Sequence, residues 1–220
     1  MPLTLIELVH QDDQLLVLNK PAGLLSVPGK GKDKHDCLSA RAQINFPGAC
    51  IVHRLDMATS GLMMMALNPF AQQALNRQFE LRTVNKRYIA IVEGDLSSRQ
   101  NHSAPSAWQL IDLPIAVDWP NRPLRIIDTA AGKPSQTRWQ LLGFDPTNNT
   151  TRVALEPITG RSHQLRVHLQ AIGHPILGDA LYAPSRVQGK AQRLLLHAQT
   201  LSIDHPATQK RLTFSSQPPF

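Results

Sequence analysis

The chain has 220 residues, 42% of them apolar and 18% charged, with 23 Lys and Arg against 16 Asp and Glu for a net charge of +7. A chain of this size buries about 70% of the surface its unfolded form exposes, which excludes a disordered chain or a disulfide-stapled miniature and predicts a single domain over residues 1–220. The apolar stretch Leu62 to Leu67 is far shorter than the roughly 18 residues of a membrane span, and the N-terminal MPLTLIELVHQDD meets acids before a signal-peptide core can form, so a cytoplasmic protein without membrane contact is expected.

Two short apolar runs around Gln11-Asp12-Asp13 read as a strand pair joined by a tight turn. The following PAGLLSVPGKGKDK is a loop whose GKGK lacks the spacing of a phosphate loop. Residues 36–45 suit a short helix, and 50–54 and 61–67 suit strands on either side of a polar loop. Asn68 as cap and Pro69 in the first helical position predict a helix running to about Leu81, with Ala71, Leu75 and Phe79 at four-residue intervals. VNKRYIAIVEG alternates as a strand, and the proline-rich 96–123 reads as an irregular connection. Strands are expected over 134–144 and 151–158, then a helix in SHQLRVHLQAIG with Ser162 or Thr159 as its cap and Gly173 as its stop. Short strands and loops fill the last fifty residues. Strands with scattered helices and no βαβ rhythm give an α+β class with a mixed or antiparallel central sheet.

The basic excess is uneven: residues 1–70 carry six bases and six acids, whereas 71–220 carry seventeen and ten. That balance points to a polyanionic partner. Cys37 and Cys50 form no CxxC pair and read as reduced structural thiols. His163 and His168 are five apart, a poor match to the four-residue ligand spacing of a helical zinc site, so no metal is expected.

Two polar constellations remain. HRLDMATSG (His53 to Gly61) is a loop between apolar strands, and by itself is equally a turn satisfying its own backbone. HRLD is not the HRD of a protein kinase, since no Gly-rich loop or DFG accompanies it. TGRSHQLRVH (Thr159 to His168) places Arg161 and Arg166 around a helix start, where they suit phosphates or a carboxylate, or a merely solvated face.

The segments DDQLLVLNKPAGLLSVPG, IVHRLDMATSGLMMMAL, NKRYIAIVEG, EPITGRSHQLRVHLQAIGHPILGDALY and RLLLHAQTLSI together resemble the successive signature blocks of the RluA family of pseudouridine synthases. VDWPNRPLR and GKPSQT further resemble members acting on both large-subunit rRNA and tRNA anticodon stem-loops. The resemblance implies the pseudouridine synthase catalytic fold around an active-site cleft, without an N-terminal S4 domain. It also implies isomerisation of uridine without cofactor, redox change or energy input.

It identifies Asp56 as the essential aspartate, acting as a nucleophile at C1′ or C6 of the uridine or stabilising a glycal path. Arg166 is then the cation that keeps a water-shielded Asp56 ionised, and Tyr88 the ring that stacks on the uracil and moves the C5 proton. The target base must be flipped from its stack, and the resemblance gives Arg54 the vacated space, with His53 supporting the loop. Arg161 at the helix start, with Lys30, Lys32, Lys34, Arg82, Lys86 and Arg87, are candidate phosphate contacts by charge. Aromatics are too sparse for a single-strand stacking platform, so the expected partner is structured RNA, read by loop shape around one flipped base, and a monomeric enzyme. A non-catalytic RNA-binding or ribosome-assembly protein on the same fold is the competing reading.

Overall fold

The computed structural model describes residues 6–29, 31, 34–99 and 108–220. It divides into two compact units, one of residues 1–86 and 197–220 and one of residues 87–196.

In the first unit, β1 (Glu7–Gln11) and β2 (Leu15–Lys20) form the expected antiparallel pair. The Asp12 carboxylate shapes their turn by accepting the amide N–H of Gln14 and of Leu15, at 2.8 and 2.9 Å. β2 pairs antiparallel with β4 (Ser60–Ala66), which also carries the short β3 (Cys50–Ile51). β4 runs parallel to β11 (Leu196–Asp204), and β12 (Arg211–Ser215) closes antiparallel on β11. The sheet is therefore mixed.

Successive residues of a strand face opposite sides of the sheet, and this sorts the core into two layers. Leu15, Val17, Leu62, Met64 and Ala66 meet Ala71 and Leu75 of α2 (Pro69–Glu80) on one side. Leu16, Leu18, Met63 and Met65 meet Leu38 and Ala42 of α1 (Leu38–Asn45) on the other. Asn68 caps α2 by accepting the Ala71 N–H at 2.8 Å, with Pro69 in the first turn. Cys37 is a free thiol whose sulfur caps α1, accepting the Ala40 N–H at 3.4 Å.

The second unit is built on an antiparallel sheet in the order β5 (Asn85–Glu93), β10 (Thr150–Pro157), β9 (Gln136–Asp145) and β6 (Gln109–Asp112). A separate hairpin pairs β7 (Ile115–Val117) with β8 (Arg125–Ile127). The stretch 96–123 is thus not an irregular connection throughout: β6 and β7 lie within it. Runs of three or four residues are held by remote partners, and too short to show a period of their own.

α3 (Gln164–Ala171) starts later and differently from the expected helix. Its N-cap residue is His163 in the left-handed region at φ 59°, and neither Thr159 nor Ser162 caps it. Instead the Gln164 side chain turns back, its oxygen accepting the Arg161 N–H at 3.0 Å and the Thr159 hydroxyl at 2.7 Å. Gly173 ends the helix as expected, at φ 85°.

Candidate active site

Asp56 sits half-buried in the loop between β3 and β4, and this loop is held from below by residues 20–26. Lys20 is fully buried, its ammonium donating to the carbonyls of Pro21 and Leu24 at 2.8 Å and of Met57 at 3.1 Å. Ser26 fixes both backbone groups of Leu55, its hydroxyl donating to the carbonyl at 2.7 Å and accepting the amide N–H at 3.0 Å. The Gly23 N–H donates to the Met57 carbonyl at 2.8 Å, and the Thr59 N–H to the Asp56 carbonyl at 3.1 Å. The residues on both sides of Asp56 are therefore fixed to a second loop, which limits the directions its carboxylate can take. At the exit, Gly61 has φ 112° and no room for a Cβ against the Ala198 backbone, so only glycine fits. Beside it the Ser60 hydroxyl and buried His197 Nδ1 lie 2.9 Å apart.

The two residues preceding Leu55 point different ways. Arg54 is exposed. His53 is turned inward, stacked on Phe79 with ring centroids 4.9 Å apart, and its Nε2 accepts the Met64 N–H at 2.9 Å. Burial, with a lesser contribution from the Lys86 charge, pushes its pKa down to about 3. Lys86 is itself lowered by burial and then by Arg82.

The unfolded chain takes up a proton near pH 6.5, whereas the folded chain stays neutral at His53 to about pH 3, so stability falls as pH drops through this window. Between pH 7 and 5 the loss from this partly exposed ring is on the order of 1–2 kcal/mol. Buried His168, also lowered by burial, acts in the same direction. Urea midpoints at pH 7 and 5 test this: His53→Gln, which keeps an acceptor for Met64, should flatten the dependence. An unchanged slope would rule out His53 as its source.

In the second unit Tyr88 lies half-buried on β5 opposite Leu155. Alternation puts Lys86 on the same face of β5 as Tyr88 and Arg87 on the other. Arg87 is bound there to Glu156 at 2.9 Å and lies over Trp108, its guanidinium carbon 5.2 Å from the ring centroid. Arg87 and Tyr88 thus address opposite faces of the strand. Arg161 is exposed, while Lys30 and Lys32 lie outside the described residues; Lys34 and Arg82 are exposed.

Arg166 on α3 is 4% exposed and forms a two-pronged ion pair with Asp179, 1% exposed, Nε donating at 2.8 Å and Nη2 at 2.6 Å. Asp179 also accepts the N–H groups of Leu181 and Tyr182, at 2.9 and 3.2 Å. The Tyr182 ring covers the guanidinium at 5.0 Å, and its hydroxyl accepts the Arg125 N–H at 3.0 Å. Gly178, at φ 73°, brings this turn so close to the Arg193 carbonyl that no Cβ fits. On the other side of α3, Gln164 and His168 bind Thr137, and His168 Nε2 donates to the Leu113 carbonyl at 2.9 Å. Neither the carboxylate partner of Arg166 within GDALY nor Lys20 and Ser26 stand out from the sequence alone. The signal is the presence of polar residues within NKPAGLLS and GDALY, segments otherwise apolar or glycine- and proline-rich.

Among the described residues no group of three or more His, Cys, Asp or Glu is placed to hold a metal ion, and no helix is long and apolar enough to cross a membrane. Residues 14–171 match the RNA pseudouridylate synthase family, and the chain belongs to it: it is an isomerase acting on RNA. The dual-specificity RNA pseudouridine synthase RluA of Escherichia coli (strain K12) is 48% identical over 213 residues, covering 97% of this chain and 93% of that protein. RluA of Pasteurella multocida (strain Pm70) is 46% identical, covering 98% and 94%. Among solved structures, human RNA pseudouridylate synthase domain containing 1 superposes with a TM-score of 0.78 at 29% identity, covering 98% of this chain and 84% of that one. Human domain containing 4 does so with 0.74 at 26% identity, covering 96% and 88%.

Proposed function

We propose that the chain converts specific uridines to pseudouridine in loops of both large-subunit rRNA and tRNA anticodon stem-loops, as a cytoplasmic monomer with one catalytic domain over residues 1–220. The observation that carries this reading is 48% identity over 97% of the chain to an enzyme named for dual specificity. The block VDWPNRPLR supports it further.

In this reading Asp56 supplies the anion, whether by attack at C1′ or C6 or by stabilising a glycal. The N1–C1′ bond breaks, the uracil turns within the site, C5 bonds to C1′, and the C5 proton leaves. Nothing is oxidised or reduced. Tyr88 stacks on the uracil and moves that proton, and the Arg166 guanidinium, oriented by Asp179, is the cation of the reaction. Arg54 fills the place of the flipped base, and Arg161 and Lys86 hold phosphates. His53 supports the loop from inside rather than touching RNA. Arg87 is committed to Glu156, which makes it the weakest of the phosphate candidates.

Mapping pseudouridine after incubation with an rRNA stem-loop and a tRNA anticodon stem-loop tests the assignment. We expect one modified site or more in each. Product in only one of the two would refute dual specificity.

A further inference from the structure

The β7–β8 hairpin ends in a connection, residues 118–124, that its own side chains hold rigid. The Asp118 carboxylate accepts the Asn121 side-chain amide from both oxygens at 3.1 and 3.0 Å. The backbone closes through Asp118 N–H to Leu124 O at 3.1 Å and Leu124 N–H to Asn121 O at 3.0 Å. On this tip Trp119 is 66% exposed, more than any other large apolar side chain among the described residues. The other two tryptophans are engaged elsewhere. Trp139 is 3% exposed in the core, and Trp108 lies under the guanidinium groups of Arg87 and Arg138.

Arg122 lies over the Trp119 ring, 4.7 Å from its centroid, and its Nε donates to the Trp119 carbonyl at 3.3 Å. A planar cation is thus stacked on an indole, on a tip whose own acid, Asp118, is occupied by Asn121. Such a surface pairs π-stacking with attraction for phosphate, the combination by which unpaired bases are held. The hairpin is also anchored: Tyr182, whose ring covers Arg166, accepts the N–H of Arg125 in β8. The tip therefore stands at a fixed distance from the Arg166 guanidinium within the same unit.

We propose that Trp119, loaded by Arg122, is a substrate-binding residue that stacks on an unpaired nucleobase of the RNA loop. This goes beyond the substrates assigned above and uses that assignment only to choose probe RNAs. Tryptophan fluorescence of the whole protein is titrated with the two stem-loops and with a fully paired RNA duplex, using wild type, Trp119→Phe, Trp119→Ala and Arg122→Ala. We expect either stem-loop to quench wild-type emission, and most of that quench to disappear in Trp119→Phe. Dissociation constants, read by filter retention, should rise about tenfold to a hundredfold for Trp119→Ala, stay within about threefold of wild type for Trp119→Phe, and fall between for Arg122→Ala. The duplex should bind wild type and Trp119→Ala alike. Stem-loop affinity of Trp119→Ala within twofold of wild type, or an equal loss on the duplex, would overturn the proposal. Absence of pseudouridine in a stem-loop would instead count against the substrate assignment, because quenching reads contact without turnover.

Discussion

Asp179→Ala is expected to lower the unfolding free energy by about 3–5 kcal/mol, because it takes a two-pronged buried carboxylate away from the Arg166 guanidinium. A solvent-exposed ion pair contributes 1 kcal/mol or less, but Arg166 and Asp179 are 4% and 1% exposed, so water cannot replace the lost partner. Four N–H groups converge on this carboxylate: two from Arg166 and the amides of Leu181 and Tyr182. Alanine leaves all four without it, whereas Asp179→Asn keeps one acceptor oxygen and should cost less. Urea unfolding at pH 7 reads the difference. A loss below about 1 kcal/mol for alanine would mean that the pair behaves as a surface pair does.

Asp56→Ala is expected to abolish pseudouridine formation while leaving RNA affinity intact or slightly improved. The direction of the binding change comes from charge: removing an anion from a protein of net charge +7 does not weaken its hold on a polyanion. Turnover should fall by at least about a thousandfold, the scale at which losing an essential charged or covalent participant shows. The variant should fold, since Lys20, Ser26 and Gly23 hold the loop through backbone groups that Asp56→Ala retains. Gel-shift affinity and single-turnover rates on one stem-loop separate the two effects. Equal losses in binding and rate would make Asp56 an RNA contact only.

What could be read from the sequence divides according to how local the causes are. The α2 helix was legible because Asn68, Pro69 and the four-residue apolar spacing all act within one helix. The β1–β2 pair was legible for the same reason, its turn being set by Asp12 beside it. The start of α3 was not, because Gln164 replaces a conventional cap by reaching back to Arg161 and Thr159 and across to Thr137. β6, β7 and β8 were hidden because a three- or four-residue strand takes its pairing from elsewhere. At the site, the HRLD loop stood out through its resemblance to a family, but what braces it did not. Lys20 reads as a surface lysine beside a proline until the fold encloses it among three carbonyls. Asp179 is thirteen residues from Arg166, and a buried pair at that separation leaves no periodic trace.

In the proposed reaction this chain rejoins uracil to ribose through C5, using Asp56. Release of tritium from a stem-loop labelled at uridine C5 follows that bond exchange, because joining C5 to C1′ displaces the C5 hydrogen. The wild-type protein should release the label to one equivalent per target uridine in buffer containing a metal chelator, and Asp56→Ala should release none above background. Release by Asp56→Ala at the wild-type rate, or no release by the wild type from any stem-loop it binds, would contradict the account.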